Sequence, residues 1–248
     1  MPTLNRLAPW LSFILLAAGS LIFIGGGRLH PHVGNALGPL GSAGYFLHFA
    51  QTIVTTPGWV PIHMMILIGP VLWALAAPGI RAALPEGGAP LWATAQVSLA
   101  VSATLWIVVF VVDGFVAPVF AQALAAGSAV APDPSLLASF AANQTTVIRV
   151  GLISWILNGV AIALFSIGLL FTQGRSYLRM AVGVTGLLVG AWPTVAAITG
   201  EFLPGPFTSE VWKETALATS IWYLLLGITL VTRRGRTEAT PREEVTAL

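Results

Sequence analysis

Residues 91–112 read LWATAQVSLAVSATLWIVVFVV, twenty-two residues without one Asp, Glu, Lys or Arg. An α-helix needs about 20 mostly apolar residues to cross the hydrocarbon core of a bilayer. Five more stretches come close to the same standard: residues 9–27, 59–77, 147–171, 178–199 and 216–232. The pattern predicts an all-α, polytopic integral membrane bundle of six transmembrane helices. It forms a single transmembrane domain over residues 1–248, with a cytoplasmic tail over 233–248.

Composition leads to the same class. The 248 residues are 56% hydrophobic and 8% charged, with a mean hydropathy of +0.86. Soluble domains carry roughly a quarter of their residues as charges, so too few are present here to coat a water-facing surface. A soluble enzyme and a disordered chain are both excluded. There is no cysteine, which removes disulfides, thiolate metal sites and cysteine catalysis together. The eleven basic residues are scattered, with no stripe to track a phosphate backbone, so nucleic acid is not a partner. The first stretch has Arg6 before its apolar run but ends in Gly25-Gly26-Gly27-Arg28 without a small-x-small cleavage pattern. It reads as a retained helix rather than a signal peptide.

Orientation follows from the basic residues. With six spans, one side holds Arg6, Arg81, Arg175, Arg179, Arg233, Arg234, Arg236 and Arg242; the other holds Arg28, Arg149 and Lys213. Eight against three places both termini in the cytoplasm. The Ala- and Gly-rich, Lys-poor composition points to a bacterial inner membrane. The outer side then carries the long connections, roughly 28–58, 121–146 and 200–215. Within the first, residues 42–56 place Phe46, Phe49, Ala50 and Ile53 on one helical face and His48, Gln51, Thr52 and Thr55 on the other. This predicts an interfacial helix at the outer headgroups or folded over the bundle. A second such helix is expected over 136–143, capped by Ser135.

Histidine placement is the most informative chemical feature. All four histidines, His30, His32, His48 and His63, fall within residues 30–63, and the topology sets them near one leaflet boundary. Imidazole is the usual ligand for zinc, copper and haem iron where thiolate is absent. His63 leads directly into Met64-Met65-Ile66-Leu67, and a histidine at that depth needs a hydrogen-bond partner or a ligand. Asp113 is a lone carboxylate in an apolar run, expensive there unless it is paired. Two readings stand: an ion pair with Arg149, or a carboxylate that orients His63 or carries a proton. Glu201 comes to the same level. Asn158 is expected to hydrogen-bond a neighbouring helix.

The expectation is therefore a cofactor- or ligand-binding membrane protein with its site at the extracytoplasmic leaflet and a redox link conceivable from position. Haem b would use His63 with His30 or His48; a divalent metal ion would use three of the histidines, drawn from His30, His32, His48 and His63, with Asp113. Pro70 and Pro193 interrupt the second and fifth spans, which offers a small-solute transporter as an alternative. An accessory subunit, held to other membrane subunits or in a homo-oligomer, is a third. Trp10, Trp59, Trp92, Trp212 and Trp222 near the span ends read as interfacial anchors. Gly183, Gly186 and Gly190 read as a close-packing face. No spacing in the sequence decides whether the protein is an enzyme.

Overall fold

The computed structural model describes residues 2–31, 42–84, 88–127, 133–171, 176–199 and 208–232, with side chains from residue 7 in the first helix and from 211 in the last. All regular structure among them is helical: α1 (Pro2–Leu29), α2 (Ala43–Thr55), α3 (Trp59–Ala82), α4 (Ala89–Val111), a π-helical turn (Val112–Val116), α5 (Ala117–Gly127), α6 (Pro134–Phe171), α7 (Tyr177–Thr199) and α8 (Thr208–Thr232). Six segments are long and apolar enough to cross a membrane, α4 through α5 counting as one. Their outward side chains are apolar: Leu75, Val97, Leu188 and Ile198 are each at least 60% exposed. Such a surface is stable only against lipid, and the chain is an integral membrane protein.

The spanning helices close into a ring in the order α1, α3, α4, α6, α7, α8, with α8 returning to α1. Large rings fill its centre. Trp73, Trp106, Trp155 and Tyr223 are almost fully buried, and Trp73 stacks on Tyr223 with centroids 4.7 Å apart. Lipid gives helices no hydrophobic reason to associate, so close packing and hydrogen bonds must hold them. Ser102 Oγ donates to the Ser154 carbonyl at 2.9 Å, and Ser154 Oγ returns a bond to the Ser102 carbonyl at 2.8 Å. Tyr223 Oη donates to Asn158 Oδ1 at 2.8 Å, the neighbour-helix bond expected of that asparagine. Between α6 and α7, a Cβ on Gly190 would stand 2.6 Å from the Gly159 carbonyl oxygen, so Gly190 does serve close packing. Pro70 and Pro193 both lie inside continuous helices. The broken second and fifth helices of the transporter reading are not formed.

Two elements are longer than a bilayer requires. The 39 residues from Ala89 to Gly127 and the 38 of α6 extend about 58 and 57 Å at 1.5 Å per residue. A hydrocarbon core is about 30 Å thick, so both project well beyond it at the same end. The expected separate helix at 136–143 is simply the first turns of α6. Its cap is Asp133 rather than Ser135: Asp133 Oδ1 accepts from the Ser135 backbone N–H at 2.8 Å and from Ser135 Oγ at 2.7 Å. Pro134 follows at the first helical position, where its missing N–H is harmless.

Helix α2 lies against these projections. Ser42 caps it, its Oγ accepting from Tyr45 N–H at 3.2 Å. Phe46, Phe49, Ala50 and Ile53 are its buried residues, the face read from the sequence. They pack with Trp59, Ala117, Ala121, Leu124 and Phe140 into a second core, separate from that of the ring. Gly58, at φ +77°, turns the chain from α2 into α3 in a backbone state that other residues rarely adopt. Of the tryptophans expected as anchors, Trp59, Trp92 and Trp222 are instead buried. Trp59 and Trp222 give their indole N–H to inward-facing carbonyls, of Asp113 and Val182.

Phe140 is fully buried in this cap, so Phe140→Ala should loosen α2 by about 3–5 kcal/mol. Hydrogen exchange should then accelerate in α2 and not in the α3–α4 pair. The hydrogen bonds from Ser135 hold the Asp133 carboxyl below its ordinary value of 3.8. A carboxyl with a lowered pKa stabilises the folded state above its unfolded pKa and loses that contribution as pH falls through the folded one. An NMR titration should place Asp133 below 3.8, and Ser135→Ala should bring it back up.

Candidate functional site

The end of the ring beneath the cap gathers the C-terminus of α1, the first turn of α3 and the π-helical turn. Helix α1 persists through its three glycines, and His30 N–H still donates to the Gly26 carbonyl at 2.9 Å. A Cβ on Gly26 would be 3.1 Å from the Ile66 backbone nitrogen. The glycine therefore lets α1 run close along α3, and the helix end brings His30 to His63.

His63 is completely buried. Its Nδ1 is 2.8 Å from the Trp59 carbonyl oxygen. A carbonyl can only accept, so Nδ1 carries the proton and donates. Nε2 is thereby left as the second nitrogen, 3.0 Å from Asp113 Oδ2 and 3.3 Å from His30 Nε2. Trp59 does more than fix this tautomer. Its Nε1 donates to the Asp113 carbonyl at 2.8 Å, and its ring lies 4.4 Å from the His63 ring and 5.4 Å from that of His30. Phe110 closes the other side, 6.1 Å from His63.

Asp113 reaches this point because the helix widens there. Single π-turns inside α-helices recur at functional sites, and this one covers Val112–Val116. It comes close to α3 because residue 114 is glycine: a Cβ there would stand 2.9 Å from His63 Cβ. Asp113 is buried, and its Oδ1 has no hydrogen-bond partner among the described residues.

One ligand atom from each of His30, His63 and Asp113 lies within 4.8 Å of the others, so these three side chains could hold a metal ion. The expected ion pair with Arg149 does not form. Arg149 is exposed on α6, and Asp113 turns instead to His63. His48 is half-buried on α2 and outside the group of three. His32 and Glu201 lie outside the described residues. Tyr45, on the first turn of α2, was not anticipated as a site residue. Burial and, after it, the Asp113 carboxylate push its phenol above the ordinary value of 10. The Trp59-x-x-x-His63 spacing was the one sequence signal for the indole's role, since side chains four apart share a helical face.

Comparison with protein-family models, curated proteins and solved structures finds no match to this chain. Its chemistry has to be read from its own geometry.

Two glycine substitutions test the packing of the site. Gly114→Ala forces a methyl against His63 and should cost about 1–3 kcal/mol as an overpacked contact. A Cβ on Gly27 meets nothing within 4 Å, so Gly27→Ala should be neutral or stabilising by up to about 1 kcal/mol. Thermal unfolding of the detergent-solubilised variants should separate the two clearly.

Proposed function

We propose that this is a multi-pass protein of a bacterial inner membrane that holds a divalent transition-metal ion, between His30, His63 and Asp113, at its extracytoplasmic end. One observation carries the reading: the tautomer fixed by the Trp59 carbonyl points the free nitrogen of His63 at a carboxylate oxygen 3.0 Å away. An imidazole lone pair and an ionised carboxylate repel at that distance unless a cation lies between them. Metal-bound histidines commonly donate their other N–H to a carbonyl in this way.

The spacings support an ion of ordinary size. Ligands about 2.0–2.1 Å from a tetrahedral zinc are about 3.3 Å from one another, against 3.3 and 3.0 Å here. Bis-histidine haem needs a flat macrocycle between the two nitrogens, and the Asp113 carboxylate beside them favours a single ion instead. Two imidazoles and a carboxylate suit zinc, with iron and copper as competitors. Three protein ligands leave a position for water or a substrate atom, the arrangement of chemically active rather than purely structural zinc. The eight-to-three division of basic residues supports cytoplasmic termini, which puts the ion on the outer side. The second reading, favoured by the direct 3.0 Å contact, is one proton shared by His63 and Asp113 without a metal.

Protein purified without chelators should carry about one zinc, iron or copper per chain by elemental analysis. His63→Ala and Asp113→Asn should weaken metal affinity by at least about 100-fold, beyond the loss typical of outer-shell changes. A metal-free wild type that binds none of these ions at micromolar concentration would overturn the metal in favour of the shared proton. A Soret band in the visible spectrum would overturn it in favour of haem.

A further inference from the structure

The Asp113 carbonyl that Trp59 holds has lost both backbone donors that a helix could give it. In the α register it would accept from the N–H of residue 117, four residues on. The π-helical turn instead gives the Ala117 N–H to the Val112 carbonyl, five residues back. In that wider register the donor to the Asp113 carbonyl would be residue 118, and residue 118 is proline, which has no N–H. A proline ring also clashes with the carbonyl four residues before it, here that of Gly114, so the tighter α register is disfavoured just where the turn widens. A buried backbone carbonyl left without a donor is costly. The donor comes from another helix: Trp59 Nε1, 2.8 Å away.

We propose that Trp59 is a positioning residue of the site: its indole N–H stands in for the N–H that Pro118 lacks and so holds the π-helical turn in the rotation that aims the Asp113 carboxylate at His63. Trp59 is the first residue of α3, one turn before His63, and its own carbonyl faces His63 Nδ1 at 2.8 Å. One residue thereby sets both sides of the 3.0 Å contact, the imidazole through its carbonyl and the carboxylate through its indole. Trp59 is in turn seated in the cap core, its ring 6.0 Å from that of Phe49. The role at an ion rests on the metal reading above; the hold on the turn does not.

The test is a double-mutant cycle of Trp59→Phe and Pro118→Ala in the full-length protein. Trp59→Phe removes the indole N–H but keeps an aromatic ring and the carbonyl that sets the His63 tautomer. Pro118→Ala offers the turn the backbone N–H it lacks. The thermal midpoint should therefore fall less on Trp59→Phe in the Pro118→Ala background than in the wild type, because changes that act on one hydrogen-bonded group are non-additive and independent ones add. With cobalt(II) as the probe, Trp59→Phe should weaken binding about 10–100-fold, as the loss of outer partners of a metal ligand does, and change the d–d absorption of the bound ion. Additive midpoints would overturn the proposal, and so would wild-type cobalt affinity and spectrum in Trp59→Phe. If Trp59→Phe does not fold, recovery of folding by Pro118→Ala upholds the proposal and failure to recover overturns it. A wild type that binds no cobalt would remove the metal reading alone. The nitrogen NMR resonance of His63 Nε2 in the metal-free protein then takes the place of cobalt: a shift in Trp59→Phe that Pro118→Ala reverses upholds the proposal, and an unmoved resonance overturns it.

Discussion

A carboxylate at the end of an apolar membrane helix has to be compensated, and the arrangement beneath the cap follows from how Asp113 is compensated. The residues before it, Val108 to Val112, offer it nothing polar. Compensation comes from α3, where Trp59 and His63 stand one turn apart and both face α4. The indole N–H takes the Asp113 carbonyl, and the imidazole takes the carboxylate. For both to reach, the helix must widen at Val112–Val116 and the next residue must lack a Cβ. The π-turn, Gly114, Trp59 and His63 are thus consequences of one buried charge, and altering any of them disturbs the rest.

Helix length then decides where that charge sits. A ring of helices only as long as the bilayer is thick would end at Asp113 and expose it to headgroups and water. The chain continues instead as α5, and α6 starts thirteen residues before the expected fourth span. These projections give α2 an apolar surface to cover, so its amphipathic face finds protein where an isolated helix would need the membrane interface. Trp59 belongs to the cap core, whereas Ile62, Ile66 and Phe110 belong to the ring core. The histidine–aspartate group lies at the seam between two hydrophobic layers. The cap reduces its access to water and raises the energetic weight of every polar contact in it.

Membrane class, span number and the buried face of α2 were legible because each is a one-dimensional pattern: run length, charge density, helical period. The isolation of Asp113 and the depth of His63 were equally plain, since both are polar residues in apolar runs. Their mutual contact was not, because Arg149 offered a formally stronger partner at the same depth. Which side chain faces inward depends on helix rotation, and a span that is apolar all round gives no sign of it. The same ambiguity disguised Trp59, Trp92 and Trp222 as anchors. At a span end, an indole turned toward lipid and one turned toward a carbonyl have the same sequence signature. Gly114 beside Asp113 gave no period to read, and a π-turn has no composition of its own.

The three converging atoms also separate the two chemistries open to the site. A proton can lie between His63 Nε2 and Asp113 Oδ2 and satisfy both, giving a buried ion pair whose desolvation is repaid only by good geometry. It accounts for the 3.0 Å contact, and His30, whose Nε2 faces the same nitrogen of His63 at 3.3 Å, brings a ring proton of its own that its tautomer can place there. A metal ion would instead take a lone pair from each and leave Nδ1 of His63 donating to Trp59 as it does. The approach of His30, made possible by Gly26, is what both chemistries have to accommodate, as a third ligand in one and as a hydrogen-bond partner of His63 in the other.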